Sequence, residues 1–119
     1  LLKRAETAVE EHGTRFRRAL KAEVKMALGS DLRPLRDAVL LEMGLWVKDG
    51  ATPWQTLLAA TRYAAGVYGV GHELGTIKIG KPAGLIVVQR NPLEDIHQLR
   101  RLLLVIKDGR VVVDKRRAF

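Results

Sequence analysis

A chain of 119 residues with 47% apolar residues, no cysteine and a formal charge of +8 has material for one packed domain or a piece of a larger one, which excludes a disordered tail. The lack of cysteine removes disulfides and thiolate metal sites. No apolar run approaches the roughly 18 to 20 residues a membrane span requires, and nothing is laid out as a signal peptide, so a soluble cytoplasmic protein is the expectation.

From Leu1 to about Ala22 the apolar positions Leu1, Ala5, Ala8, Val9, Phe16, Ala19 and Leu20 recur at helical spacing among charged residues. The spacing predicts an amphipathic helix, with a bend allowed near Gly13. Arg15, Arg17, Arg18 and Lys21 are interleaved with Glu6, Glu10, Glu11 and Glu23, as on a solvated helix face. The other basic group, Lys115 to Arg117, sits at a terminus. Neither comes with an aromatic stacking set or a groove-reading motif, so nucleic acid is not an expected partner.

Val24 to Leu28 reads as a short buried strand that stops at Gly29-Ser30 and is followed by Asp31. Taken alone, Gly-Ser-Asp is common loop chemistry. Pro34 can start the next helix, whose apolar stripe runs through Leu35, Val39, Met43, Trp46 and Val47 to a glycine cap at Asp49-Gly50. Thr52-Pro53-Trp54-Gln55 marks another helix start. There Thr52 can accept the amide three residues on, Gln55 can reach back, and Pro53 takes the first helical position. This helix is expected to run to about Ala65.

Gly66, Gly69 and Gly71 then break the pattern, and the sequence turns from helical to extended. Ile77 and Ile79 alternate with polar neighbours, and Leu85 to Val88 is a continuous apolar strand. Asn91-Pro92 makes a turn, with a short helical turn from Leu93 to Ile96. Leu102 to Lys107 and Arg110 to Val113 flank Asp108-Gly109, which predicts a type I′ hairpin. Periodicity thus supports an α/β unit over residues 1–66 and a β-rich unit over 67–119.

One ordered series of segments carries more than any single motif: Thr61-Arg62-Tyr63-Ala64-Ala65, Leu74-Gly75-Thr76-Ile77, Gly80-Lys81-Pro82-Ala83, Leu85 to Val88, Asn91 to Ile96 and Val105 to Val112. In this order and spacing the chain resembles, from about Phe16 to Val113, the C-terminal part of the metal-dependent amidohydrolase superfamily. The resemblance is in particular to its imidazolonepropionase-like and prolidase-like members. The resemblance implies the last helix-strand-helix portion of a (β/α)8 TIM barrel over residues 1–66, then the C-terminal strands of a small composite β-sandwich over 67–119. On that template Val24 to Leu28 is the eighth barrel strand.

The resemblance also implies roles. Asp31 matches the aspartate at the end of the eighth strand, which contacts the metal and takes a proton from the attacking water before passing it to the leaving nitrogen. Asp31 is the one residue carried over, as both catalytic and metal-contacting. The family cofactor would be a divalent metal, zinc being the expected ion. Its other ligands, a His-x-His pair, a carboxylated lysine or acid and two later histidines, belong to strands upstream of this segment. His12, His72 and His97 lack metal-ligand spacing and are read as structural. Tight metal binding and hydrolase activity are therefore not expected of the isolated chain, which opens on Leu1 inside a helical pattern and is expected to be a fragment.

The expected partners are the missing N-terminal part of the barrel or a second copy of the chain, and the expected substrate of the whole protein is a small amide or dipeptide. A different reading is a noncatalytic remnant that serves as a small binding or oligomerising module. Two departures from the family pattern stand out. Gly84 replaces an acidic turn residue after Gly80-Lys81-Pro82-Ala83, and the loop after Asp31 is short and carries Arg33 and Arg36. Trp46 and Trp54 are read as packing residues on apolar helical stripes.

Overall fold

The structure, a computed structural model, describes residues 1–118; Phe119, the last residue of the expected second unit, lies outside them. Helix α1 spans Leu2–Lys21 and runs unbroken through Gly13, over which the Arg17 side chain lies. Its charged faces are solvated. Its one aromatic contact is made by Phe16, whose ring meets Trp46 edge-on with centroids 4.9 Å apart. Leu1, Leu2 and Val9, the apolar positions nearer its start, are exposed.

Val24 to Leu28 forms no strand, which corrects the sequence expectation. A strand exists only where a neighbour takes its amides and carbonyls. Past Val24, whose amide closes the end of α1 on Ala19, the run donates one backbone bond, from Leu28 to the Ala59 carbonyl at 3.3 Å. Helix α2 (Leu35–Lys48) starts behind Pro34, whose carbonyl accepts the Ala38 amide at 3.1 Å. The expected stripe is only half right, because Leu35 and Val39 are exposed while Ala38 and Met43 are buried.

Helix α3 (Pro53–Ala60) begins with the capping box read from the sequence: the Gln55 amide donates to Thr52 Oγ1 at 3.1 Å, and the Thr52 amide donates to Gln55 Oε1 at 2.9 Å. This start sets the helix phase so that Thr56 and Ala59 face inward and Trp54 is left 58% exposed, against its expected packing role. The single helix expected up to Ala65 is divided at Thr61, where α4 (Arg62–Val67) follows. The Thr61 hydroxyl donates back to the Leu57 carbonyl at 2.6 Å, a bond that bends helices.

Ile77 and Ile79 lie in no strand and are exposed, again for want of a neighbouring strand. The sheet is antiparallel in the order β1 (Leu85–Val88), β2 (Leu102–Lys107), β3 (Arg110–Asp114). Leu85 pairs with Ile106, and Val105 pairs with Val113. Asp108 and Gly109 have φ of 49° and 77°, as a type I′ turn requires, and the Gly109 amide donates to the Ala83 carbonyl at 3.0 Å. The helical turn before β2 is a 3-10 turn over Ile96–Arg100, later than expected, because Asp95 Oδ1 caps the His97 amide at 2.9 Å.

Met43 of α2 and Ile96 and Leu99 of the 3-10 turn make the buried core, with Leu28, Leu40, Val47, Leu57 and Val88 against it. This cluster joins the helices to the sheet. Around it the chain is spread out: its radius of gyration is 16.1 Å, against about 13.5 Å for a compact domain of this length. It exposes 9545 Å², where a compact monomer of its mass exposes about 6,500 Å².

Gly75, at φ +88°, is the tightest backbone approach. A Cβ there would stand 2.6 Å from Ala65 Cβ and 2.8 Å from the Thr61 carbonyl oxygen. Gly75→Ala is expected to destabilise the chain by about 2–4 kcal/mol, through the left-handed backbone and the overpacking together. Chemical denaturation checks this, and a loss below about 0.5 kcal/mol, the range of neutral surface changes, would contradict it.

Candidate functional site

Leu28, Gly29, Ser30 and Asp31 leave the core in that order. Leu28 is packed against Met43 and its neighbours, Ser30 is half-buried, and Asp31 is exposed. Two bonds hold the approach: the Leu28 amide to Ala59 O at 3.3 Å and the Gly29 amide to Glu42 Oε1 at 3.0 Å. Asp31 has φ of +50°. That conformation is uncommon for any residue but glycine, and aspartate tolerates it better than most. Its carboxylate forms no ion pair among the described residues.

The histidines are dispersed. His12 is exposed on α1, and His72 Nε2 lies 3.6 Å from Glu73 Oε1. His97 is fastened on two sides. Its Nδ1 is 2.9 Å from Asp95 Oδ1, and a Cβ on Gly44 of α2 would stand 3.2 Å from its Nε2. The imidazole thus wedges the 3-10 turn against the helix. Among the described residues no group of three or more His, Cys, Asp or Glu side chains could hold a metal ion. Asp31 alone does not fit a divalent cation, which needs about three converging protein ligands.

A cleft of about 850 Å³, open to solvent, does not include Asp31. Lys25, Arg62, Tyr63, Lys78 and Lys81 are among its lining residues, and no carboxylate lines it. The Lys81 ammonium is already committed. It donates to the Gly71 carbonyl and to Thr76 Oγ1, each at 2.7 Å, and so ties down the glycine-rich turn ahead of the sheet. In the Gly80-Lys81-Pro82-Ala83 motif, then, the lysine is a clamp. Gly84 has open space where a side chain would go, so nothing in the fold demands glycine there.

The profile of the amidohydrolase family matches residues 1–112. The chain belongs to the amidohydrolase family. It is 31% identical over 105 residues to the imidazolonepropionase of Geobacillus sp. (strain WCH70), a match that covers 82% of this chain and 24% of the relative. Among solved structures it is similar to a Xaa-Pro dipeptidase with bound methionine (34% identity, TM-score 0.75, 83% of this chain and 25% of that one). Molinate hydrolase is a further structural match (30% identity, TM-score 0.78, 85% of this chain and 26% of that one). The chain therefore spans about a quarter of the length of these amidohydrolase relatives. Members of the family generally depend on a metal. No helix among the described residues is long and apolar enough to cross a membrane.

Sequence reasoning singled out Asp31 but passed over the holding roles of four residues: Glu42 at the loop before Asp31, Lys81 at the glycine-rich turn, and Asp95 and His97 at the 3-10 turn. Only Asp95-x-His97 had a local signal, the aspartate cap two residues before an amide. That cap lowers the Asp95 carboxyl pKa below its ordinary value, first through the His97 amide, then through the His97 ring. A depressed folded pKa stabilises above the unfolded carboxylate value, about 3.9, and that contribution is lost as pH falls through the folded value. The stability difference between the native chain and Asp95→Asn is expected to be flat above about pH 5 and to shrink below about pH 4. Urea midpoints measured across pH check this; a difference that persists undiminished to pH 2 would contradict it.

Proposed function

We propose that this chain is the C-terminal segment of a metal-dependent hydrolase of carbon–nitrogen bonds, and that it supplies the Asp31 carboxylate to the active site. The observation that carries the reading is Asp31 itself: an exposed carboxylate in a left-handed conformation, on a loop tethered at both Leu28 and Gly29. Non-glycine residues held in such a conformation cluster at functional sites, where surrounding structure must hold them. The relatives' names support the same reading, a Xaa-Pro dipeptidase and an imidazolonepropionase being consistent with a small amide or dipeptide substrate.

In this role Asp31 accepts a proton from the attacking water while the water oxygen bonds to the substrate carbonyl carbon. The carbon–nitrogen bond then breaks, and the proton passes from Asp31 to the departing nitrogen. The family's metal supplies electrophilic activation when bound, on ligands that the described residues of this chain do not provide.

The spread-out shape supports the rest of the proposal. Val24, Leu32, Leu35 and Val39 flank the unpaired run after α1, and Ile86, Val111 and Val112 are exposed on the sheet. These faces suit the remaining strands and helices of a barrel, with residues 24–28 as its eighth strand, and the other share of a composite sandwich. Coverage of that kind would supply the ladder partners that Val24 to Leu28 lacks. By itself the chain is inactive.

The test joins this chain to the metal-ligating portion of a family barrel and assays a panel of Xaa-Pro dipeptides and N-acyl amino acids. Asp31→Asn is expected to lower kcat by about 10²–10⁴, the usual worth of a general acid–base group. Because asparagine tolerates the same backbone, stability should stay within about 0.5 kcal/mol. An undiminished kcat in Asp31→Asn, or hydrolysis by the chain alone, would refute the assignment.

A further inference from the structure

We infer that Glu42 is a positioning residue for the Asp31 carboxylate, acting through the Gly29 amide; the inference rests on the role of Asp31 proposed above. Residues 29 to 33 make one hydrogen bond among the described residues, and it is the one from the Gly29 amide to Glu42 Oε1 at 3.0 Å. No other hydrogen bond among the described residues fixes the loop's path. The direction in which Gly29 leaves the core therefore sets where Ser30 and the left-handed Asp31 can lie.

Glu42 is well suited to act as the fixed end of that tether. It is half-buried on α2, next to Met43, which is 5% exposed in the core cluster, and two residues before Gly44, against which the His97 ring is wedged. The backbone that carries Glu42 is therefore held from two sides. Among the described residues Glu42 has no ion-pair partner, so its charge is directed at the amide. A hydrogen bond to an ionised acceptor is roughly twice as strong as a neutral one, so this bond suits the holding of a loop whose end residue is strained. No apolar residue at position 42 could satisfy the Gly29 amide.

Two measurements test this, one on the chain itself and one on the joined enzyme. In the chain, Glu42→Gln, which keeps the acceptor oxygen, is expected to leave the Gly29 amide protected from hydrogen exchange. Glu42→Ala should speed hydrogen exchange at Gly29 by about tenfold or more and leave the Met43 amide unchanged, a pattern expected when only a local bond is lost. In the joined enzyme, Glu42→Ala is expected to lower kcat by about 10–100-fold, the usual worth of a residue that orients a catalytic group, with KM within about twofold. Glu42→Gln, which keeps the acceptor oxygen, should recover most of that loss.

The inference is overturned if the Gly29 amide is indifferent to Glu42, or if Glu42→Ala leaves kcat intact in an enzyme that Asp31→Asn disables. It is also overturned if Glu42→Gln is as damaging as Glu42→Ala, because the role would then need the charge and not the tether. If Asp31→Asn costs nothing while Glu42→Ala still speeds exchange at Gly29, the tether is real and the assignment of Asp31 is what fails.

Discussion

The packing of Met43 against Ile96 and Leu99 is the contact on which the rest of this structure depends. It joins a helix to the 3-10 turn that feeds the central strand of the sheet, and without it the helical and extended parts of the chain would have no shared apolar core. Fully burying side chains of this size is worth about 1.5–3 kcal/mol each, so a cluster of three is a small anchor for so long a chain. Its neighbours on α2 extend its reach. Glu42 bonds to the loop before Asp31, and Gly44 makes room for the His97 ring. Three successive residues of one helix thereby connect the candidate catalytic loop, the core and the entry to the sheet.

Outside that anchor, apolar surface outruns the means of covering it. The amphipathic helix α1 touches the body chiefly through Phe16 and Trp46, and the sheet has two open edges with β-branched residues exposed on them. Apolar strands left open in this way are a hazard that folded proteins normally cover or charge. The relatives this chain matches are about four times its length.

Several polar residues that look like candidates for chemistry are engaged in holding turns. Lys81 neutralises the carbonyl oxygens of a glycine-rich turn, Asp95 and His97 cap and wedge the 3-10 turn, and Asp114 holds Arg116 in a bond that lowers its carboxyl pKa to about 2. Asp31 differs from them. It has no such ion-pair partner among the described residues, and its backbone is left-handed with no turn bond to account for it.

The local elements were legible in the residues themselves wherever their cause is local. The capping box at Thr52, the stop at Asp49-Gly50 and the hairpin at Asp108-Gly109 rest on bonds and backbone preferences within a few residues, and each formed where the pattern placed it. The ordered motifs likewise carried the kinship, and with it the interest in Asp31. What depends on distant neighbours could not be read. Val24 to Leu28 has the composition of a strand yet no ladder, Thr61 divides a helix because of a bond and a packing approach from Gly75, and Trp54 turns outward because the helix phase buries Thr56. The tether from Glu42 to Gly29 joins residues 13 positions apart, a proximity that no periodicity encodes and only the packing of α2 beside the loop creates.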